Sequence, residues 1–258
     1  MRLELRLDTH ELMKRDYTEA IRSLPNGKEL TRQDLLTSAF RLYETGKLAI
    51  YYAPFDVLNK AARVVILGIT PGWTQMEIAY REFRSALGQG STVIEASQRA
   101  KEKASFAGGM RRNLTAMLDE IGLPSTLGIK SCEELFNDAR HLVHTTSAIR
   151  YPVFVNGRNY TGHSPGPLKH PELRRYVEHV LPNELRSVPQ ALIVPLGKCV
   201  ASIIEHLIEN GEIDPRNCLL GFPHPSGANG HRHREFREGR RLLSKTVEAW
   251  FSLLGNAR

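Results

Sequence analysis

The sequence predicts an α/β fold, a three-layer α/β/α sandwich on a mainly parallel central sheet. Three observations carry that prediction. Short runs of β-branched and aliphatic residues bounded by turn formers, notably Arg63-Val64-Val65-Ile66-Leu67-Gly68 and residues 191–197, suit strands buried on both faces. Helical periodicity fills the intervals, at 113–121, 173–185 and 200–208. The alternation of strand and helix implies parallel pairing with helices on both faces.

Taken in order, the first sixty residues read as helical. Leu12, Met13, Tyr17 and Ile21, then Leu35, Phe40, Leu42 and Leu48, recur at helix-like spacing, and Pro25-Asn26-Gly27 breaks the pattern between two helices. Residues 1–60 are therefore expected to be a helical extension and 61–258 a single domain. After Pro54 the character changes: apolar runs follow at 63–68, 141–149, 191–197 and 218–222. The stretch 150–160 holds too many turn formers for regular structure. Its Arg150, Tyr151, Phe154, Arg158 and Tyr160 belong either to a site, where aromatic faces stack and Arg neutralises anions, or to a surface hairpin.

Composition excludes whole classes of function. Of 258 residues, 41% are hydrophobic, 24% charged and 7% aromatic, the balance of an ordinary globular protein. No apolar run reaches the roughly 18 to 20 residues of a membrane-spanning helix, and residues 1–22 lack the apolar region of a signal peptide, so a cytoplasmic protein with no membrane partner is expected. Cys132, Cys199 and Cys218 are far apart and form no CxxC pair, which argues for reduced thiols. Lys and Arg exceed Asp and Glu by 35 to 28, a surplus that suits a polyanionic partner through phosphate neutralisation.

Two loops carry the chemistry, and both follow a strand directly, where open α/β sheets place ligands. In the first, Gly68-Ile69-Thr70-Pro71-Gly72-Trp73, glycine permits close backbone approach and proline stiffens the turn. It does not fit the GxxxxGK[ST] phosphate loop. In the second, residues 223–234, two prolines fix the presentation of His224. The run Ser226-Gly227-Ala228-Asn229-Gly230 exposes backbone N–H groups suited to an anion, and His231, Arg232, His233 and Arg234 add positive charge. A metal site at His224, His231 and His233 is the alternative, weakened because the neighbouring residues complete no familiar ligand set.

The sequence Gly68-Ile69-Thr70-Pro71-Gly72, followed far downstream by His224-Pro225-Ser226-Gly227-Ala228-Asn229, resembles the first and last motifs of the uracil-DNA glycosylase superfamily. Between them, Ser105-Phe106-Ala107-Gly108-Gly109 with the helix from Asn113, then Thr146-Ser147-Ala148-Ile149-Arg150, then residues 189–198, resemble its intermediate stretches in the same order. The resemblance spans about residues 60 to 250. It implies a monofunctional glycosylase that flips a nucleotide out of double- or single-stranded DNA and hydrolyses its N-glycosidic bond, with no metal or redox cofactor and no Schiff-base lysine.

By the same resemblance His224 stabilises charge developing on the departing base, Thr70 orients water, and Ile69, Gly72, Trp73, Phe106 and Ser147 surround the base. Ser226, Gly227, Ala228, Asn229, His231 and Arg232 are expected at the DNA, with His231 or Arg232 filling the vacated stack because Ala228 is too small. Several branches carry a carboxylate or amide where this chain has Thr70 or Gly109. Glu77 is the nearest carboxylate in sequence, and its other reading is a solvated helix-face residue.

The uracil-specific branch has a Tyr after the motif-one proline, which blocks C5 substituents, and an Asn in the central strand. Here these are Gly72 and Ser147. The expectation is a modified base, such as a bulky 5-substituted pyrimidine of phage DNA, excised in defence. The alternatives are repair of uracil or a deaminated base, a non-catalytic reader of modified DNA, and an unrelated nucleotide hydrolase.

Overall fold

The computed structural model describes residues 16–25 and 29–255. The expected helical positions Leu12 and Met13, and Asn26-Gly27 of the expected break, lie outside the described residues. In chain order the elements are α1 (Thr18–Arg22), α2 (Arg32–Leu35), β1 (Arg41–Thr45), β2 (Leu48–Tyr51), β3 (Val64–Gly68), α3 (Trp73–Gly88), α4 (Val93–Ala104), α5 (Gly109–Glu120) and α6 (Leu123–Leu127). There follow β4 (Val143–Ser147), β5 (Val153–Val155), β6 (Arg158–Asn159), α7 (Pro171–Arg175), a π turn (Tyr176–Val180), α8 (Leu181–Leu185), β7 (Leu192–Pro195), α9 (Lys198–Glu209) and α10 (Arg232–Gly255). This is a mixed α/β protein.

The chain forms two compact units. One holds the described residues up to Val57 together with Gly72–Ala104 and Tyr151–Tyr160. Its sheet is antiparallel, in the order β1-β2-β5-β6. The division expected at residue 60 is therefore replaced by an interleaved one: residues up to Val57 share a core with α3, α4 and β5, in which Tyr17, Ile21, Phe40, Tyr80, Phe83 and Phe154 are buried.

The expected second N-terminal helix is also corrected. α2 ends at Leu35, and residues 41–51 form a hairpin turned at Gly46, where φ is +54°. Leu48-Ala49-Ile50-Tyr51 is buried along its whole length between β1 and β5, and that tertiary burial overrides the helix-like spacing of Leu42 and Leu48. Within the stretch 150–160 the hairpin alternative holds for residues 153–159: β5 and β6 are joined by Asn156-Gly157, both at positive φ, the backbone of a tight hairpin turn.

The other unit holds Leu58–Pro71, Ser105–Arg150 and Thr161–Arg258. Its sheet is parallel in the order β4-β3-β7, with Val64 opposite both Val143 and Leu192. All five residues of β3 are buried, as the aliphatic run predicts. Residues 218–222 do not extend the sheet as a strand; Cys218 bridges Ile193 in parallel and the chain then turns at Gly221, where φ is +85°. α10 closes this unit by burying Phe236, Leu243, Val247 and Trp250, and the Trp250 indole donates to Gln190 O at 3.0 Å.

Candidate functional site

The site residues of the parallel unit are set out along the carboxyl ends of its three strands. β4 ends at Ser147, paired with Gly68 at the end of β3. Past β7, Leu196 N donates to Leu67 O at 2.9 Å, so Gly197 starts where β3 also ends. Two strand spacings, about 10 Å, separate the outer ends of that row.

Beyond the strands, Ala148 N donates to Gly68 O and Ile149 N to Ile69 O, both at 2.9 Å, which fixes the first loop against the segment after β4. A Cβ on Gly68 would lie 3.4 Å from the Phe106 ring and 3.5 Å from Ser147 Oγ, so both side chains pack against the end of β3. Phe106 is buried at φ +51°, a backbone conformation that costs about 1–2 kcal/mol for a residue with a Cβ. Arg111 holds that loop: its Nε and Nη2 donate to Ser105 O at 3.2 and 2.6 Å, and its guanidinium lies 4.6 Å over the Phe136 ring. The Ser105 and Thr145 hydroxyls share a buried hydrogen bond of 2.8 Å.

The second loop is set by Gly197, which caps α9 at φ +84° and donates its N–H to Phe222 O at 3.0 Å. A Cβ there would stand 2.9 Å from Cβ of His224. Ser226 N donates to Nδ1 of His224 at 3.2 Å. An imidazole accepting at Nδ1 carries its proton on Nε2, and burial lowers the His224 pKa, so the side chain is a neutral ring presenting an Nε2–H donor.

The rest of the loop is tied internally. Asn113 Nδ2, from α5, donates to Pro225 O at 2.8 Å, and Arg232 Nη1 donates to Ser226 O at 2.8 Å. Asn229 Nδ2 donates to His224 O and to Glu235 Oε2, both at 3.3 Å, while Asn229 Oδ1 accepts from His231 N at 3.1 Å. Ser226 Oγ accepts from Ala228 N at 3.2 Å. Gly227, Ala228 and Gly230 are exposed at the tip.

A Bacillus subtilis protein described as "Uncharacterized protein YoxB" is 42% identical to this chain over 242 residues, covering 93% of this chain and 94% of the relative. The chain belongs to the YoxB family. No family model matches it, and no solved structure matches it. The geometry of this YoxB-family chain therefore stands on its own residues.

Among the residues expected at the site, His224, Thr70, Ile69, Phe106, Ser147 and the 226–232 loop all belong to the parallel unit. Thr70 Oγ1 lies 3.5 Å from Pro71 O, and Ile69 packs beside Gly162 and Cys199. Gly72 and Trp73 belong to the antiparallel unit, where they open α3. The space beside Gly72 is not the open wall expected. A Cβ there would come within 3.3 Å of Asn159 Nδ2, and Asn159 Oδ1 accepts from Trp73 N at 3.0 Å. One face of the Trp73 ring carries the Arg32 guanidinium, 4.8 Å from its centroid.

Arg232 is a brace for the loop rather than a side chain reaching outward, with Nη2 also 3.0 Å from His233 Nε2. Glu77 is neither solvated nor poised as a base, because its Oε1 accepts from Arg81 Nε at 3.1 Å and Leu30 N at 3.3 Å.

Among the described residues no group of three or more His, Cys, Asp or Glu is arranged to hold a metal ion, and no helix is long and apolar enough to cross a membrane. Burial pushes all three thiols up, Cys218 to about 12, which leaves none as a thiolate nucleophile.

Sequence reading missed Asn113, Arg111 and Asn159 as positioning residues. Asn113 and Asn159 act through contacts distant in sequence and Arg111 through a loop carbonyl six residues away, and only the type of residue, a polar group at the start of a helix or on a short strand, hinted at it.

Proposed function

We propose that the protein is a monofunctional DNA glycosylase, built as an α/β/α sandwich of the uracil-DNA glycosylase kind, that hydrolyses the N-glycosidic bond of a modified base. The observation that carries this reading is the state of His224. A neutral imidazole with Nδ1 occupied by Ser226 N–H keeps one donor, Nε2–H, in the loop that follows the parallel sheet. That is the group a departing base needs. As the bond between C1′ and the base nitrogen breaks, the electron pair moves onto the base, and Nε2–H stabilises the resulting anion without giving up its proton. A water oxygen bonds to C1′ and releases its proton to solvent. The Thr70 hydroxyl and nearby backbone carbonyls hold that water, a weaker arrangement than a carboxylate.

Ser147 supports a substrate other than plain uracil. A single hydroxyl cannot make the two-point contact of an amide, and a site that lacks such pairing discriminates base edges poorly. The base class proposed is a 5-substituted pyrimidine.

A second reading has its own observation. Thr70 and Gly109 stand where the glycosylases that the sequence resembles carry carboxylates or amides, and the Glu77 carboxylate is bound by Arg81 and Leu30 N. These favour a reader of modified DNA that does not cleave it.

The deciding experiment incubates wild type and His224→Ala with duplexes carrying uracil, hypoxanthine, 5-hydroxymethylcytosine or its glucosylated form, scoring alkali-labile sites. Release of a 5-substituted base by wild type alone supports the glycosylase and a defence role. Release of uracil or hypoxanthine alone assigns repair. Binding without release from any duplex assigns the reader.

A further inference from the structure

α10 emerges directly from the His224 loop, and its solvent side carries a stripe of cations. At 3.6 residues per turn, Arg234, Arg237, Arg241 and Lys245 fall within about 80° of arc and span about 16 Å along the axis. All four are exposed, and among the described residues none makes an ion pair. Arg240, on another face, is paired with Glu120. The opposite side of the helix buries Phe236, Leu243, Val247 and Trp250. Two carboxylates stand by the stripe: Glu238 at its edge and Glu248 beyond Lys245. Four unpaired cations in a row repel one another, an arrangement that gains stability only when an anion row lies against it.

We infer that this stripe is a track for the phosphate backbone of duplex DNA, extending the footprint of the 224–231 loop along α10. The inference rests on the proposed reading only for the partner being DNA. The charge is linear and rigid, and successive cations four residues apart are about 6 Å apart along the axis, which fits successive phosphates of one strand. A membrane is the poorer fit, because an interfacial helix must bury its apolar face in lipid and that face is already in the core. The contacts are independent of base sequence, so the track supplies affinity and sliding, while selection stays with the loop.

The test measures binding to an unmodified 30-base-pair duplex as a function of salt, using full-length His224→Ala protein so that base release plays no part. Gln replaces the cations one at a time and together, keeping helix propensity. The slope of log K against log salt is expected to fall by about 0.9 for each cation removed, to a total of about 3 to 4. Lys60→Gln with Lys130→Gln, exposed cations elsewhere, is the control and should leave the slope unchanged.

An unchanged slope in the fourfold variant overturns the inference, as does absence of duplex binding by the unsubstituted stripe. A stripe-dependent loss seen only with single-stranded DNA, duplex RNA or phosphatidylserine vesicles overturns it too. Stripe-dependent duplex binding by a protein whose wild type releases no base upholds the track and sinks the glycosylase.

Discussion

Gly197 and His224 touch so closely that no side chain fits between them: a Cβ on Gly197 would lie 2.9 Å from Cβ and 3.5 Å from the backbone nitrogen of His224. Gly197→Ala therefore meets two obstacles, a left-handed backbone at φ +84° and a rigid neighbour. Gly211, at φ +74° with nothing within 4 Å, meets only the first. Denaturant unfolding should show Gly211→Ala costing about 1–2 kcal/mol. Gly197→Ala should cost at least about 1 kcal/mol more, for the strain of moving the loop, and should lower base release as well. Equal costs would mean that the close approach does not set the loop.

Burial holds the His224 pKa below the ordinary value, and that fixes the sign of a pH effect. The unfolded chain binds a proton at His224 at a higher pH than the folded chain does, so the stabilisation is full above about 6.5. It is lost as pH falls through the folded pKa, when protonation also costs Nδ1 its hydrogen bond from Ser226. Base release by wild type should fall over the same acid range. His224→Gln should remove that part of the pH dependence of stability, and an unaltered profile would show that His224 does not titrate with folding.

The central strand of the parallel unit was legible because the aliphatic run Val64-Val65-Ile66-Leu67, closed by Gly68, suits burial on both faces. The two loops were legible because Gly, Pro and His mark backbone geometry locally. What stayed hidden was set by partners far along the chain. Residues 41–51 became a hairpin because β5, a hundred residues later, pairs with β2. Gly72 looked like an open wall because nothing near it in sequence announces Asn159.

A buried ionic cluster was likewise invisible to the sequence. Glu184, on α8, accepts from Arg150 Nη2 at 2.6 Å and Nε at 3.1 Å, and meets His144 Nε2 at 2.7 Å, all three being almost wholly buried. Asn59 N approaches His144 Nδ1 at 3.4 Å, so the imidazole proton faces Glu184. Removing the carboxylate charge by Glu184→Gln takes away the anion that faces a buried guanidinium, at a cost of about 3–5 kcal/mol. Replacing both partners, Glu184→Leu with Arg150→Met, should recover most of that. Thermal unfolding decides it, and a Glu184→Gln cost under about 1 kcal/mol would refute the role given to the pair.

Asn159 ties its carboxamide to the head of α3 through Trp73 N while occupying the space a side chain at 72 would need. Asn159→Ala alone should cost about 1 kcal/mol, as for loss of a helix cap. Gly72 has φ −86°, which alanine adopts without strain, so Gly72→Ala should destabilise wild type only by displacing Asn159. In the Asn159→Ala background the same substitution should become neutral or stabilise by about 0.5 kcal/mol, through the lowered entropy of the unfolded chain. The double-mutant cycle should thus give a coupling of about 1 kcal/mol or more, with Gly72→Ala changing sign between backgrounds. Additivity within about 0.5 kcal/mol would show that the carboxamide moves aside freely, and that the space beside Gly72 is available to a ligand after all.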